Sequence, residues 1–249
     1  KLGLNSPGSE SFISAIIGKP FPFLQTTYFA IDSASGSTIV DAADGWPIRG
    51  IGLKDQGTTI PKHQIGLGLK VAYKWVTLSA NAEYRGGYVV YSDMAQDMSF
   101  TGSSSATTRY NRQQFIWPNS VYKDASGKYV PNTNIAVDNY IACYEGWGDY
   151  GFSRGVLSNG DWFTYSGNFW KIRDISLDFA LPTKWYKGFK ALKGVGVSFF
   201  GRNLFTWVPA ENIYTDPEFS NTNGNGVGVN TTGNTPPVRQ YGGTLRITF

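Results

Sequence analysis

The last eleven residues, Arg239-Gln-Tyr-Gly-Gly-Thr-Leu-Arg-Ile-Thr-Phe249, alternate in polarity from end to end. Tyr241, Gly243, Leu245, Ile247 and Phe249 fall on one face, and Gly242, Thr244, Arg246 and Thr248 on the other. A period of two belongs to a β-strand with one apolar and one polar side. Two arrangements satisfy it. Either the apolar side packs on a protein core while the polar side meets water, or the apolar side meets lipid while the polar side lines a wet lumen.

The same pattern recurs in residues 63–91. On a first arm Ile65, Leu67, Leu69, Val71 and Tyr73 share a face opposite Gly66, Gly68, Lys70 and Ala72. A tight reversal is expected near Lys74-Trp75. On the second arm Val76, Leu78, Ala80, Ala82 and Tyr84 alternate with Thr77, Ser79, Asn81, Glu83 and Arg85. Both arms reach the roughly 9–11 residues that a spanning β-strand needs. Residues 169–181 alternate again, with Ile175, Leu177, Phe179 and Leu181 against Asp174, Ser176, Asp178 and Ala180, and Pro182 ends the strand. A further strand is expected over 194–205, with Val195, Val197 and Phe199 opposite Ser198 and Arg202, and with Phe200 interrupting the polar face.

Between these strands the composition is that of loops. Leu24 to Ile31 reads as a strand, but Asp32 to Pro61 carries the turn signals Ser35-Gly36 and Asp44-Gly45 and reads as loop. Residues 92–168 show little regular pattern, with possible strands at Gln113–Val121 and Asn139–Tyr144, and 206–238 reads as a second long loop. Short reversals near Lys74 and at 182–193 therefore alternate with long loops. Short turns on one rim and long loops on the other is the asymmetry of an outer-membrane barrel.

Composition narrows the alternatives. Charged residues make up 16% of the chain, against about a quarter in average domains, and aromatic residues another 16%. No apolar run approaches the roughly 18 residues of a membrane helix. One cysteine, Cys143, and one histidine, His63, make neither an internal disulfide nor a His/Cys metal site. The net charge of +4 is dispersed, with no basic patch for nucleic acid. The opening Lys1-Leu-Gly-Leu-Asn-Ser-Pro7 is not a signal peptide and reads as the middle of a longer polypeptide, so a C-terminal fragment is expected.

Individual segments add a resemblance. Gly167-Asn-Phe-Trp-Lys-Ile-Arg-Asp-Ile-Ser-Leu-Asp-Phe-Ala-Leu-Pro182 resembles the "FxRLRxxxLxYxLP" strand of the SusC/RagA family of TonB-linked outer-membrane proteins. Val197-Ser-Phe-Phe-Gly-Arg-Asn-Leu-Phe-Thr-Trp207 is similar to its "vsgxNLfTwt" segment, and Asp216-Pro217-Glu218 to its "DPE". Pro236-Pro237 with the closing strand resembles the family's end, and Gly18-Lys-Pro-Phe21, Asp44-Gly45 and Arg85-Gly-Gly87 fall in the expected order. Trp170 and Lys171 depart from the usual aliphatic and Arg.

The resemblance implies an all-β fold: the C-terminal part, about eight strands, of a transmembrane antiparallel β-barrel of about 22 strands with long extracellular loops. The whole of 1–249 would belong to that one barrel domain, with the plug and earlier strands N-terminal to it. It implies no enzyme and no cofactor. The function implied is TonB-dependent import of oligosaccharide or peptide through the outer membrane of a Gram-negative bacterium. The implied partners are the remaining N-terminal part of the barrel, a SusD-like surface lipoprotein lid, the TonB system and membrane lipid. The terminal Phe249 matches the C-terminal aromatic read by the membrane-insertion machinery in that family.

Residue assignments follow from both readings. Val76, Leu78, Ala80, Ala82, Leu245, Ile247 and Phe249 are expected to face lipid. Thr77, Ser79, Asn81, Glu83, Arg85, Thr244 and Arg246 are expected to face the lumen. The loop aromatics Trp117, Trp147, Tyr150, Trp162, Trp207 and Tyr214 are candidates to bind ligand, since rings stack on sugar faces and anchor interfaces. Arg202 and Asn203 read as structural. Asp216 and Glu218 read as turn residues rather than metal ligands. Asp174 and Asp178, four residues apart on one strand face, lie roughly 13 Å apart, beyond the roughly 5–9.5 Å that glycoside hydrolysis needs. Two other readings remain open at this point: a surface carbohydrate-binding β-sandwich, and a structural or adhesive outer-membrane barrel without transport.

Overall fold

The computed structural model describes residues 10–138, 155–189, 191–214, 216–218, 226–233, 235 and 237–249. In chain order its strands are β1 (Ser11–Ser14), β2 (Phe23–Thr26), β3 (Thr38–Ile39), β4 (Lys54–Thr58), β5 (His63–Tyr73), β6 (Val76–Gly86) and β7 (Val89–Ser92). There follow β8 (Ser120–Lys123), β9 (Tyr129–Pro131), β10 (Thr164–Ser166), β11 (Phe169–Ala180), β12 (Gly194–Trp207), β13 (Val229–Asn230) and β14 (Gln240–Thr248). A short helix, α1 (Asp93–Phe100), starts where the Ser92 hydroxyl accepts the Ala95 amide at 3.1 Å.

The chain divides into two compact units. One holds residues 61–88, 167–219 and 235–249, and its core element is a five-stranded antiparallel sheet in the order β14-β12-β11-β6-β5. The β5–β6 hairpin reverses at Lys74, which takes a left-handed φ of 54°. That is the reversal the alternation predicts. Residues 181–193 join β11 to β12 on the same rim, while the connections from β6 to β11 and from β12 to β14 leave from the opposite rim and are long. The described residues form an open sheet and no closed barrel, and it has five strands where about eight were expected. The short strands at 11–58, 89–166 and 229–230 pair among themselves in the other unit instead.

That other unit holds residues 1–60, 89–166 and 220–234 and contains three small sheets, β1-β2-β4, β10-β7-β13 and β3-β8-β9. Its core includes the fully buried Leu24, Val90, Tyr91, Val137, Val156 and Phe163. Composition marked Asp32–Pro61 as loop, yet the segment carries β3, β4 and isolated bridges. The expected turns are there: the Asp44 carboxylate accepts the Trp46 amide at 3.0 Å. Gly45, with φ +75°, sits so close that a Cβ would lie 2.7 Å from the Ala136 carbonyl. Of the irregular region, Ser120–Lys123 is a strand, Gln113–Asn119 is not, and Asn139–Tyr144 lies outside the described residues.

Candidate functional site

The register of the five-stranded sheet decides which side chains share a face. Tyr73, Val76, Phe179, Val197 and Leu245 form one cross-strand row. Val71, Leu78, Leu177, Phe199 and Gly243 form the next, and Leu69, Ala80, Ile175, Gly201 and Tyr241 the third. Every row is apolar or glycine, so all five apolar edges lie on one side. This face is open: Leu67 is 54% exposed, Phe199 57% and Leu245 63%. Ile247 and Phe249 are exposed with it, and Val76, Ala80 and Ala82 are partly covered by their neighbours. An exposed apolar face of this extent marks contact with protein or lipid.

Aromatic rings band that face at both ends. Toward the short turns Trp75 lies 5.8 Å from Phe179 and 5.2 Å from Trp185. Toward the long connections Tyr84 lies 5.0 Å from Trp170, and Phe205 stacks on Trp207 at 5.8 Å. Trp207 thus belongs to a ring pair on the apolar face. β5 has 11 residues. At about 3.4 Å per residue and a tilt of about 40°, such a strand rises about 28 Å, which matches an apolar band about 25 Å tall.

The polar face holds Thr77, Ser79, Asn81, Glu83 and Arg85 of β6, opposite Asp178, Ser176, Asp174, Lys171 and Phe169 of β11. On β12, Ser198 meets Thr244 and Gly196 meets Arg246 of β14. Asp178 accepts the Ser198 hydroxyl, and Asn81 donates to Asp174 at 3.0 Å, so both carboxylates serve the sheet. Phe200 interrupts this face, as its place in the alternation predicts, and packs over Gly242 with Arg202 5.3 Å above its ring.

At the long-connection end of the polar face, three cations and three carboxylates gather. Lys171, 3% exposed, reaches Asp216 at 2.5 Å and Glu218 at 2.6 Å. Arg173 donates to Glu218 at 2.6 Å and also pairs with Glu83. Arg85 contacts Glu83 at 2.5 Å and Glu218 at 3.2 Å. Burial alone would raise the Glu218 pKa, but the hydrogen bonds and charges of Arg173 and Lys171 outweigh it and hold it down to about 2. Asp216 also accepts the Glu218 amide at 3.1 Å, so the turn expected of Asp216-Pro217-Glu218 is present and is additionally tied to β11.

The sequence reading gave a face or role to Glu83, Arg85, Asp216 and Glu218, but it met Lys171 only as a departure from the family's Arg and gave Arg173 no role, because a bulge hides their place on the sheet. Ile172 pairs with Ala82 and Asp174 with Asn81, leaving Arg173 as an extra residue on β11. β12 answers with its own extra residue between Arg202 and Phe205, where Asn203 takes φ 53°. The bulge resets the alternation, placing Trp170 and Ile172 on the apolar face and Lys171 on the polar one. The signal was a phase break, apolar 170 and 172 followed by apolar 175, 177 and 179.

In the other unit the rings of Trp117 and Trp162 lie 6.1 Å apart. Trp117 is 6% exposed and meets Phe29 edge-on at 5.5 Å, so it is a core ring of this cluster. Trp162 lines an open cavity of about 650 Å³ with Tyr28, Phe29, Ile31, Thr38, Leu53, Lys54, Asn159 and Asp161. Tyr214 lines a smaller cavity of about 370 Å³ in the sheet's own unit, beside Asn203, Asn212, Asp216 and Arg239. Trp147 and Tyr150 lie outside the described residues. No group of three or more metal-ligating side chains occurs among the described residues.

No protein-family model and no curated protein sequence matches the chain. Solved structures do. A structure of the RagAB peptide transporter matches 99% of this chain and 24% of its own, with TM-score 0.55 and 15% identity. The RagAB peptide importer in a "closed-closed" state matches at TM-score 0.55 and 17% identity, over 99% of this chain and 25% of its own. The "open-open" state gives TM-score 0.55 and 16% identity, over 99% and 24%. The chain thus spans about a quarter of the length of these neighbours, and at such identities what it shares with them is the fold.

Proposed function

We propose that these residues form part of the wall and the surface loops of an outer-membrane β-barrel that imports nutrients. The observation that carries this reading is the sheet with all five apolar faces on one exposed side, banded by aromatic rings at both ends. In a soluble sandwich a second sheet would bury Leu245 and Phe199; both are more than half exposed. In a barrel wall, Val76, Leu78, Ala80, Ala82, Leu245, Ile247 and Phe249 meet lipid, and Thr77, Ser79, Asn81, Glu83, Arg85, Thr244 and Arg246 meet the lumen.

The edge strands β5 and β14 have one partner each among the described residues. Open edges do not survive in lipid, so both pair with strands of the remaining barrel, of about 22 in all. The second unit is read as surface loops of the same barrel domain. The RagAB likeness supports import rather than a purely structural barrel. The resemblances in the sequence add a SusD-like lipoprotein lid, energy from the TonB system, and oligosaccharide or peptide as cargo.

Uptake in living cells tests this. Cells carrying the full-length protein should accumulate dye-labelled oligopeptides or oligosaccharides, a knockout should not, and a protonophore should abolish the difference. A bulky thiol reagent on Asn81→Cys, in a background from which Cys143 and any other native cysteine have been removed, should slow uptake. Equal accumulation in knockout and complemented cells for both cargo classes contradicts the import reading.

A further inference from the structure

The 650 Å³ cavity among Tyr28, Phe29, Leu53 and Trp162 lies within the size range of ligand clefts, about 300–1,000 Å³. Apolar side chains line most of it, and an ion pair stands at its rim. Lys54 and Asp161 meet at 2.7 Å while their side chains remain 49% and 32% exposed. Asp161 is held from behind by Gln56, which donates to it at 2.7 Å and to Thr26 at 2.7 Å. The segment carrying Asp161 and Trp162 is fixed as well: the Gly160 amide donates to the Thr27 hydroxyl at 2.8 Å, and a Cβ on Gly160 would strike the Glu10 carbonyl. The wall is therefore set before any ligand arrives.

The ring planes decide which ligand chemistry fits. A sugar needs a bare aromatic face to stack on. The Arg109 guanidinium covers Trp162 at 5.1 Å, and Phe29 and Trp117 tilt against that ring at 6.2 and 6.1 Å. Phe29 is 7% exposed. Tyr28 donates its hydroxyl to the Ile51 carbonyl at 3.0 Å, and its ring lies where a Gly50 Cβ would be. Phe29 is thus buried, and Trp162 and Tyr28 each have one side taken up by the protein, which leaves little bare ring face for stacking. What stays open is an aliphatic and aromatic hollow, with the 48% exposed Ile31 at its mouth.

We infer that this cavity is a cargo subsite that takes an apolar side chain of an oligopeptide. Lys54 donates to a backbone carbonyl of that peptide, and Asp161 accepts one of its amide hydrogens. Neighbouring donor and acceptor match the alternating C=O and N–H of a peptide, and the hollow beside them accepts the side chain. The inference rests on the import reading and narrows its cargo to peptides.

Fluorescence anisotropy on the full-length receptor in detergent tests it. The probes are fluorescein-labelled Gly-Gly-Leu-Gly-Gly, pentaglycine and a linear glucose oligomer. The leucine peptide should bind at least about ten-fold more tightly than pentaglycine, the value of burying one such side chain. Leu53→Ser should remove most of that preference, and Lys54→Ala should weaken both peptides alike, while Ile17→Ser, at a fully exposed position outside the cavity, should leave affinity and preference intact. Equal binding of the two peptides overturns the inference, and so does unchanged selectivity in Leu53→Ser or unchanged affinity for both peptides in Lys54→Ala. Binding of the glucose oligomer that Leu53→Ser weakens assigns the cavity to sugar instead. If the leucine preference is missing while the sheet still faces lipid, the peptide subsite fails and the barrel reading stands.

Discussion

Lys171 concentrates the cost of the design in one side chain. It is 3% exposed on the polar face and balanced by two carboxylates. Removing one partner of a buried ion pair costs about 3–5 kcal/mol, and here Arg173 and Arg85 still serve Glu218 when Lys171 is gone, which puts the cost at the lower end. Lys171→Ala should therefore lower stability in a urea unfolding series by about 3 kcal/mol, and proteolysis within 208–218 should quicken. Glu218 gives the pH counterpart. Its folded pKa of about 2 lies below its ordinary 4.5, so its contribution is complete above the ordinary value and is lost as pH falls toward 2. The melting-temperature gap between wild type and Glu218→Gln should be widest near neutral pH and close in acid; a gap independent of pH contradicts this assignment. None of these partners could be named from spacing alone. Asp216 and Glu218 were visible as a turn, but their partners lie about 45 residues back along the chain, across a register shift.

At the scale of the strand, alternation was the most legible feature and its interruptions the least. The 63–86 hairpin was readable because nothing breaks its period. β11 was readable only C-terminal to Arg173, where the bulge resets the phase. Asn203 marks the matching bulge on β12, and its left-handed φ of 53° suits Asn and Gly far better than branched residues. Asn203→Gly should change stability by less than about 0.5 kcal/mol and Asn203→Val should cost about 1–2 kcal/mol, in the same urea assay. The face assignment has its own test in β6. Leu78→Arg on the apolar face should cost about 2–4 kcal/mol in lipid vesicles, and Ser79→Arg far less. The small strands β3, β4 and β7–β10 were hidden for a different reason. They are two to five residues long, too short for periodicity to show, and pair in three small sheets, mostly with partners distant in sequence.

For the molecule as a whole, the claim that matters is that one face of the five-stranded sheet meets lipid and the other water. Loop asymmetry and alternation pointed there from the sequence. The register adds that the apolar side chains of five separate strands share one face, which no single strand could show. The second compact unit was not foreseen, since its core residues, Leu24, Val90, Val156 and Phe163, are scattered over about 140 positions. The most direct test is a spin-label scan of β6 in the full-length protein in lipid vesicles, with single cysteines from Val76 to Arg85 in a background from which Cys143 and any other native cysteine have been removed. Labels at Leu78, Ala80 and Ala82 should collide with oxygen dissolved in lipid. Labels at Thr77, Ser79 and Asn81 should collide with a water-soluble nickel complex, giving a period of two in opposite phase. The inverse phase, or equal access of the nickel complex along the whole strand, would contradict the account.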